Sequence, residues 1–123
     1  MKGDEQMSKY VYTIYQVDVL ERFAFKDWKR AKELYNWSFE LYKIEWGGYA
    51  TAKDDYDLLE HLFTEFNLNH PSGFTGHSIS VSDIVKISTD INTDIIYKDG
   101  DKTKYYYCDV FGWKDITKEV KGE

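Results

Sequence analysis

His70-Pro71-Ser72-Gly73-Phe74-Thr75-Gly76-His77 and the run that follows it, Ser78-Ile79-Ser80-Val81-Ser82-Asp83-Ile84-Val85, decide how this chain is read. These sixteen residues hold the only proline, two of the eight glycines and two of the three histidines. Pro71 fixes its own φ and pushes His70 out of the helical region, so any helix before it must end there. Gly73 and Gly76 permit backbone angles that residues with side chains resist. After Gly76 the text alternates, with His77, Ile79 and Val81 on one side and Ser78, Ser80 and Ser82 on the other. That alternation predicts a strand fed by a shaped loop. The same parity points Asp83 inward, and an unpartnered buried carboxylate is costly. A turn or bulge at Ser82-Asp83, ending one short strand and starting another at Ile84, avoids that cost.

Outward from this stretch, the preceding segment predicts the best helix of the chain. It starts at Asp54 or Asp55, and Tyr56, Leu59, Leu62, Phe63 and Phe66 recur at three- and four-residue steps. Asp54, Asp55 and Asp57 crowd its first turn, where the helix dipole favours negative charge. Further back, Tyr10–Val17 (YVYTIYQV) is β-rich and apolar on both faces, as expected of an interior strand. Asp27 is a candidate N-cap for a short helix whose stripe is Trp28, Ala31, Leu34 and Tyr35. Phe39–Trp46 reads as a second strand ended by Gly47-Gly48. Beyond the central stretch, Asp90–Asp94 reads as a connection. Ile95–Tyr97, Asp99-Gly100 and Thr103–Cys108 then read as a β-hairpin, and Phe111-Gly112-Trp113 as an aromatic corner.

The expected architecture is a single small α+β domain: a mostly antiparallel sheet of about five strands with two helices packed on it. Residues 1–9 are expected to be a flexible N-terminal segment, 10–117 the domain and 118–123 a flexible tail. Met1 or Met7 could be the natural start.

Composition narrows the function classes. The 18% aromatic content, eleven Tyr, seven Phe and four Trp, suits either a contact surface or a ring-rich sheet core. The net charge of −6 is uneven: residues 51–123 carry eight basic and fourteen acidic side chains, whereas residues 1–50 balance at eight and eight. No basic patch stands out, which disfavours direct nucleic-acid binding. An acidic surface could meet a basic protein instead, including a nucleic-acid-binding one. Lone Cys108 cannot form an internal disulfide and fits a reducing cytosol. No run approaches the roughly 18 apolar residues of a membrane span.

Chemistry finds little purchase. His70 and His77 lie seven apart with only Cys108-Asp109 as distant company, and no zinc-type pair of ligands is present. Ser78 stands beside His77, but neighbours in a strand face opposite ways. The expectation is therefore no catalytic residue, no cofactor and no metal, with His70, Pro71, Gly76, His77, Ser80, Asp83, Asp109 and Gly112 as structural motif residues.

Three separated pieces, YTIYQV, FNLNHPSGFTGHSISVSDIV and YYYCDVFGW, together resemble the YodL-like domain, over roughly residues 10–115. The family pattern runs YxIYQL, an aromatic-rich middle, FNxxHPxxFxGHSLSVSDVV and YYVDSFGF. Cys108 stands where the family has an apolar residue, which argues for packing. The resemblance implies a bacterial cytosolic protein of a phage, plasmid or conjugative element, and carries over no catalytic assignment. It leads to the expectation of a non-enzymatic inhibitor of a host defence nuclease, of anti-CRISPR or anti-restriction type. The acidic residues Asp54, Asp55, Asp57, Glu60, Asp99 and Asp101 would face a basic channel, with exposed Tyr97, Tyr105 and Trp113 as anchors. The alternatives are a modulator of another bacterial protein, such as an actin-like filament, and a passive module for a partner encoded by the same element. The partner is expected to be a host protein, with no direct nucleic acid and no membrane; oligomeric state is open.

Overall fold

Both faces of strand β1 (Ser8–Gln16) are apolar, and this places it inside the sheet, between β2 and β3. The computed structural model describes residues 6–91 and 99–122. The remaining elements are α1 (Trp28–Leu34), β2 (Lys43–Ala52), α2 (Asp55–Leu68), β3 (Ile84–Ser88), β4 (Lys104–Asp109), β5 (Gly112–Asp115) and α3 (Thr117–Lys121). A single 3-10 turn, Phe39–Leu41, precedes β2. The five strands form one sheet in the order β2-β1-β3-β4-β5, and each pairing is antiparallel. This is an α+β fold.

Alternation along the strands divides the aromatic surplus between two cores. Tyr10, Tyr12 and Ile14 of β1, Val85 and Ile87 of β3 and Tyr106 of β4 face α2, where Leu58, Leu59, Leu62 and Phe66 cover them. Tyr15, Ile84, Tyr105 and Tyr107 face the other way, beneath Phe23, Trp28, Ala31 and Ile116. A sheet buried on both faces needs two sets of large side chains. Most of the rings are therefore structural, packed edge-on or tilted as in Phe66–Phe74 and Trp28–Tyr107.

Several expectations need correction. The glycine pair does not end β2. The strand begins after the 3-10 turn and runs through Gly47-Gly48 to Ala52, because Gly48 lies opposite Tyr12. A Cβ at Gly48 would stand 2.8 Å from the Tyr12 hydroxyl, so glycine is what lets the strand pass that ring. Helix α2 buries Leu58, Leu59, Leu62 and Phe66, leaving Tyr56 and Phe63 exposed. Leu34 of α1 is likewise exposed, since Trp28 and Ala31 alone make the contact with the sheet. A third helix, α3, occupies part of the tail expected to be loose. It follows buried Ile116 and rests Val120 against the second core.

The run His77–Val81 is not a strand. Side chains from outside claim its backbone groups, so it cannot join the ladder. Ser82 then takes φ 87°, which ends the loop and starts β3 at Ile84, as the turn at Ser82-Asp83 required. The expected hairpin strand Ile95–Tyr97 lies outside the described residues. What precedes β4 is a turn in which the Thr103 N–H donates to the Gly100 carbonyl at 3.2 Å.

Candidate interaction surface

Gln16, the last residue of β1, organises the central loop. Its side-chain amide donates to the His77 carbonyl at 2.7 Å and accepts from the His77 N–H at 3.2 Å, copying one step of strand pairing. The same amide nitrogen donates to Asp83 Oδ2 at 2.9 Å. That oxygen also accepts from the Ser80 N–H at 2.9 Å, while the Asp83 N–H returns a bond to the Ser80 carbonyl at 3.0 Å. The loop lies this close to Gln16 only because residue 76 is glycine. A Cβ there would fall on Gln16 Oε1 and within 2.8 Å of the Phe74 ring.

Asp83 is fully buried, and its Oδ1 has no partner among the described residues. Burial pushes its carboxyl up to about 7, against the opposing pull of the Ser80 N–H, His77 and Gln16. His77 Nδ1 lies 3.9 Å from Asp83 Oδ2 and 2.7 Å from the Ser78 carbonyl. A carbonyl only accepts, so Nδ1 carries the hydrogen and the Gln16 amide 3.3 Å away is a neighbour, not a donor to it. His70 does not join this group; its ring sits 5.5 Å from that of Phe74. Phe74 docks between Phe66 and Trp46, and its N–H bonds back to the Pro71 carbonyl. Among the described residues, no group of three or more His, Cys, Asp or Glu could hold a metal ion. Cys108 is buried, its thiol pushed up to about 12 by burial and then by Asp83. A thiol held protonated in this way is a packing group.

The acids singled out in the sequence fall into two sets. Asp54 caps α2 by accepting from the Asp57 N–H at 2.8 Å, and Asp57 accepts from the Lys53 N–H at 2.9 Å. Asp55 is turned inward: it accepts from the Tyr10 hydroxyl at 3.0 Å and the Tyr106 hydroxyl at 2.8 Å, with Lys104 Nζ 3.6 Å away. Burial first, and then Asp55, raise both phenols, Tyr10 to about 12. Asp99 accepts from the Tyr105 hydroxyl and pairs with buried Lys86 at 3.6 Å. These residues hold structure. Tyr105, expected as an exposed anchor, is buried on the α1 side of the sheet and is corrected accordingly; its parity in β4 faces it into the second core. Tyr97 lies outside the described residues. Glu60 and Asp101 are exposed.

The surface that does project is the β4–β5 hairpin. Asp109 pairs with Gly112 across a two-residue loop, Val110-Phe111, and Gly112 takes φ 115° to close it. Asp109 Oδ1 accepts from the Val110 N–H at 2.8 Å and the Trp28 N–H at 3.2 Å, fixing the loop to the start of α1. Phe111 is 100% exposed and Val110 54%. Behind them is a shallow cleft of about 320 Å³ lined by Asp27, Lys29, Asp109, Phe111, Trp113 and Lys114. Trp113 Nε1 donates to Glu60 Oε2 at 3.2 Å and so joins the hairpin to the acidic outer side of α2, where Glu65 also stands exposed.

Neither Phe111, within the aromatic corner, nor Gln16, within YTIYQV, is among the site residues that the sequence points to. Phe111 lies at a turn between two strand-like runs, the one place where a large ring has no sheet face to turn to. Gln16 was legible only as the polar end of YTIYQV.

The family model of the YodL-like domain matches residues 11–118, a span that takes in β1, the Gln16–His77–Asp83 network and the hairpin. The chain belongs to the YodL-like domain family. No curated protein and no solved structure matches it. In this YodL-like domain the Gln of the first piece, Gln16, and four residues of the second, Gly76, His77, Ser80 and Asp83, meet in space. Those motifs specify how the loop is bound to the sheet. Among the described residues, no helix of the YodL-like domain is long and apolar enough to cross a membrane.

Proposed function

We propose that this YodL-like domain is a protein-binding inhibitor encoded by a mobile genetic element. It would act without chemistry of its own by occupying the basic, nucleic-acid-binding surface of a host defence nuclease of CRISPR or restriction type. The observation that carries the reading is Phe111, a phenyl ring wholly in water on a rigid two-residue hairpin, with Val110 beside it. Apolar anchors of this kind dominate protein–protein contacts once they enter a partner's pocket. The Trp113–Glu60 bond sets that anchor next to the acidic side of α2, which supplies the complementary field for a basic partner.

The test is capture from bacterial lysate with the wild-type chain, Phe111→Ala and Glu60→Lys/Glu65→Lys, followed by mass spectrometry. The reading expects a nucleic-acid-binding protein that the wild type retains in a salt-dependent manner and both variants lose. The purified partner should then release its nucleic acid when the domain is added. Capture of a filament protein or an element-encoded protein in its place would replace this reading. Equal retention by both variants would remove the hairpin and the acidic face from it.

A further inference from the structure

Residues 70–81 run from the end of α2 to the turn before β3 without joining the sheet. Among the described residues, each hydrogen bond that leaves this segment ends on Gln16 or Asp83. Gln16 takes the carbonyl and N–H of His77, and Asp83 takes the carbonyl and N–H of Ser80. The rest of its hold is apolar, with Phe74 between Phe66 and Trp46 and Ile79 in the same core. Asp83 itself belongs to the sheet. The Cys108 N–H donates to its carbonyl at 2.8 Å, and the Ser82 N–H donates to the Cys108 carbonyl at 2.9 Å. Ser82 is held twice more: the Tyr42 hydroxyl donates to its carbonyl at 2.6 Å, and the Phe25 N–H to its Oγ at 3.0 Å. The segment can therefore lift away while its catch stays fixed.

We infer that residues 70–81 form a proton-operated cover, which closes on the sheet while Asp83 is protonated and opens, with the sheet intact, once that carboxyl is charged. Hydration is the reason. In the closed form the side chain is fully buried and its Oδ1 has no partner among the described residues, a setting that penalises charge. Opening admits water to the carboxylate while the Asp83 backbone stays paired with Cys108, so the penalty is relieved locally and without global unfolding. The ionisable groups that face Asp83 are His77 of the cover, Glu45 of β2, Tyr42 just before β2 and Cys108 of β4. Of these only His77 can carry positive charge, and its Nδ1 hydrogen is given to the Ser78 carbonyl, 3.9 Å short of bonding the carboxylate. Opening also lifts Phe74 and Ile79 from the first core, which bares Trp46 and Phe66. The carboxyl titrates at about 7 when covered, against 3.8 as its ordinary value. The open population should accordingly grow as pH rises from about 4 and level off above about 7.

Residue-resolved amide hydrogen exchange of the full chain from pH 5 to pH 8, corrected for the intrinsic rate at each pH, tests this. Protection of the His77 and Ser80 amides should fall by about tenfold or more between pH 5 and pH 7 and stay well below that of the β1–β3 ladder. In Asp83→Asn, which cannot titrate, protection of the same two amides should not change with pH. Gln16→Ala should lower their protection at every pH and leave the ladder protected, with circular dichroism as the check that both variants fold. The wild-type series decides by itself whether opening is local. Cover amides as protected as the ladder throughout, or protection that ignores pH, would overturn the inference. So would the same fall in Asp83→Asn, or unchanged protection in folded Gln16→Ala.

Discussion

Gln16 and Asp83 meet where the end of β1, the central loop and the start of β3 converge, and the stability of that junction depends on protonation. The folded-state pKa of Asp83 is raised to about 7 from 3.8, so the unfolded chain gives up this proton first as pH rises. Stability from this group is therefore fully present below about pH 4 and is lost as pH climbs through 7, by on the order of 4 kcal/mol at most. Asp83→Asn cannot titrate. Urea unfolding of both proteins from pH 4 to pH 8 should show the wild type falling relative to the variant; parallel curves would remove the buried proton from the account. Packing sets the second prediction at this scale. Gly76→Ala should cost about 2 kcal/mol or more, since its methyl group meets the Gln16 amide and the Phe74 ring. The measurement is the shift in urea midpoint. Buried Cys108 should resist thiol reagents in the folded protein and react fully in guanidinium.

Helix α2 shows how one element serves two purposes with one row of acids. Asp54 and Asp57 satisfy the free N–H groups at its start, and Asp55 reaches across to the hydroxyls of Tyr10 and Tyr106. Asp55→Ala would leave two part-buried phenols without their acceptor, and we expect a loss of about 1–3 kcal/mol in thermal or urea unfolding. Asp55→Asn, which still accepts, should lose less. On the inner side of the same helix, Leu62→Ala should cost about 2–5 kcal/mol through the cavity it leaves against β1 and β3. Charge reversal at Asp55 or Asp57 would therefore report on folding before it reported on binding. Glu60 and Glu65 are the positions at which reversal reads binding.

For the whole molecule, stability and recognition separate in space. The two cores are closed by rings on both faces of the sheet, whereas Phe111 contributes to neither. Phe111→Ala should leave the unfolding free energy within about 0.5 kcal/mol of wild type. The same change should weaken partner binding by about 2 kcal/mol or more, read by titration calorimetry against the captured protein. A variant that unfolds instead would make Phe111 a structural residue and withdraw it as an anchor.

Much of the architecture was written in local pattern. β1 as an interior strand, the Asp27 cap, a start of α2 at Asp54 or Asp55, its end before Pro71 and the break at Ser82-Asp83 each follow from side-chain chemistry within a few residues. The family could also be read, because its motif residues are fixed in order along the chain. What lay beyond the sequence are matters decided by contacts between distant segments. Gln16 took over the backbone of His77 and so denied it a strand. Tyr12 called for glycine at 48 and so carried β2 past the point where glycine usually ends a strand. The sheet's second covered face drew Tyr105 inward, and the two-residue turn left Phe111 outside. Periodicity reports which side of an element is apolar, and only the packed structure says whether another element is there to cover it.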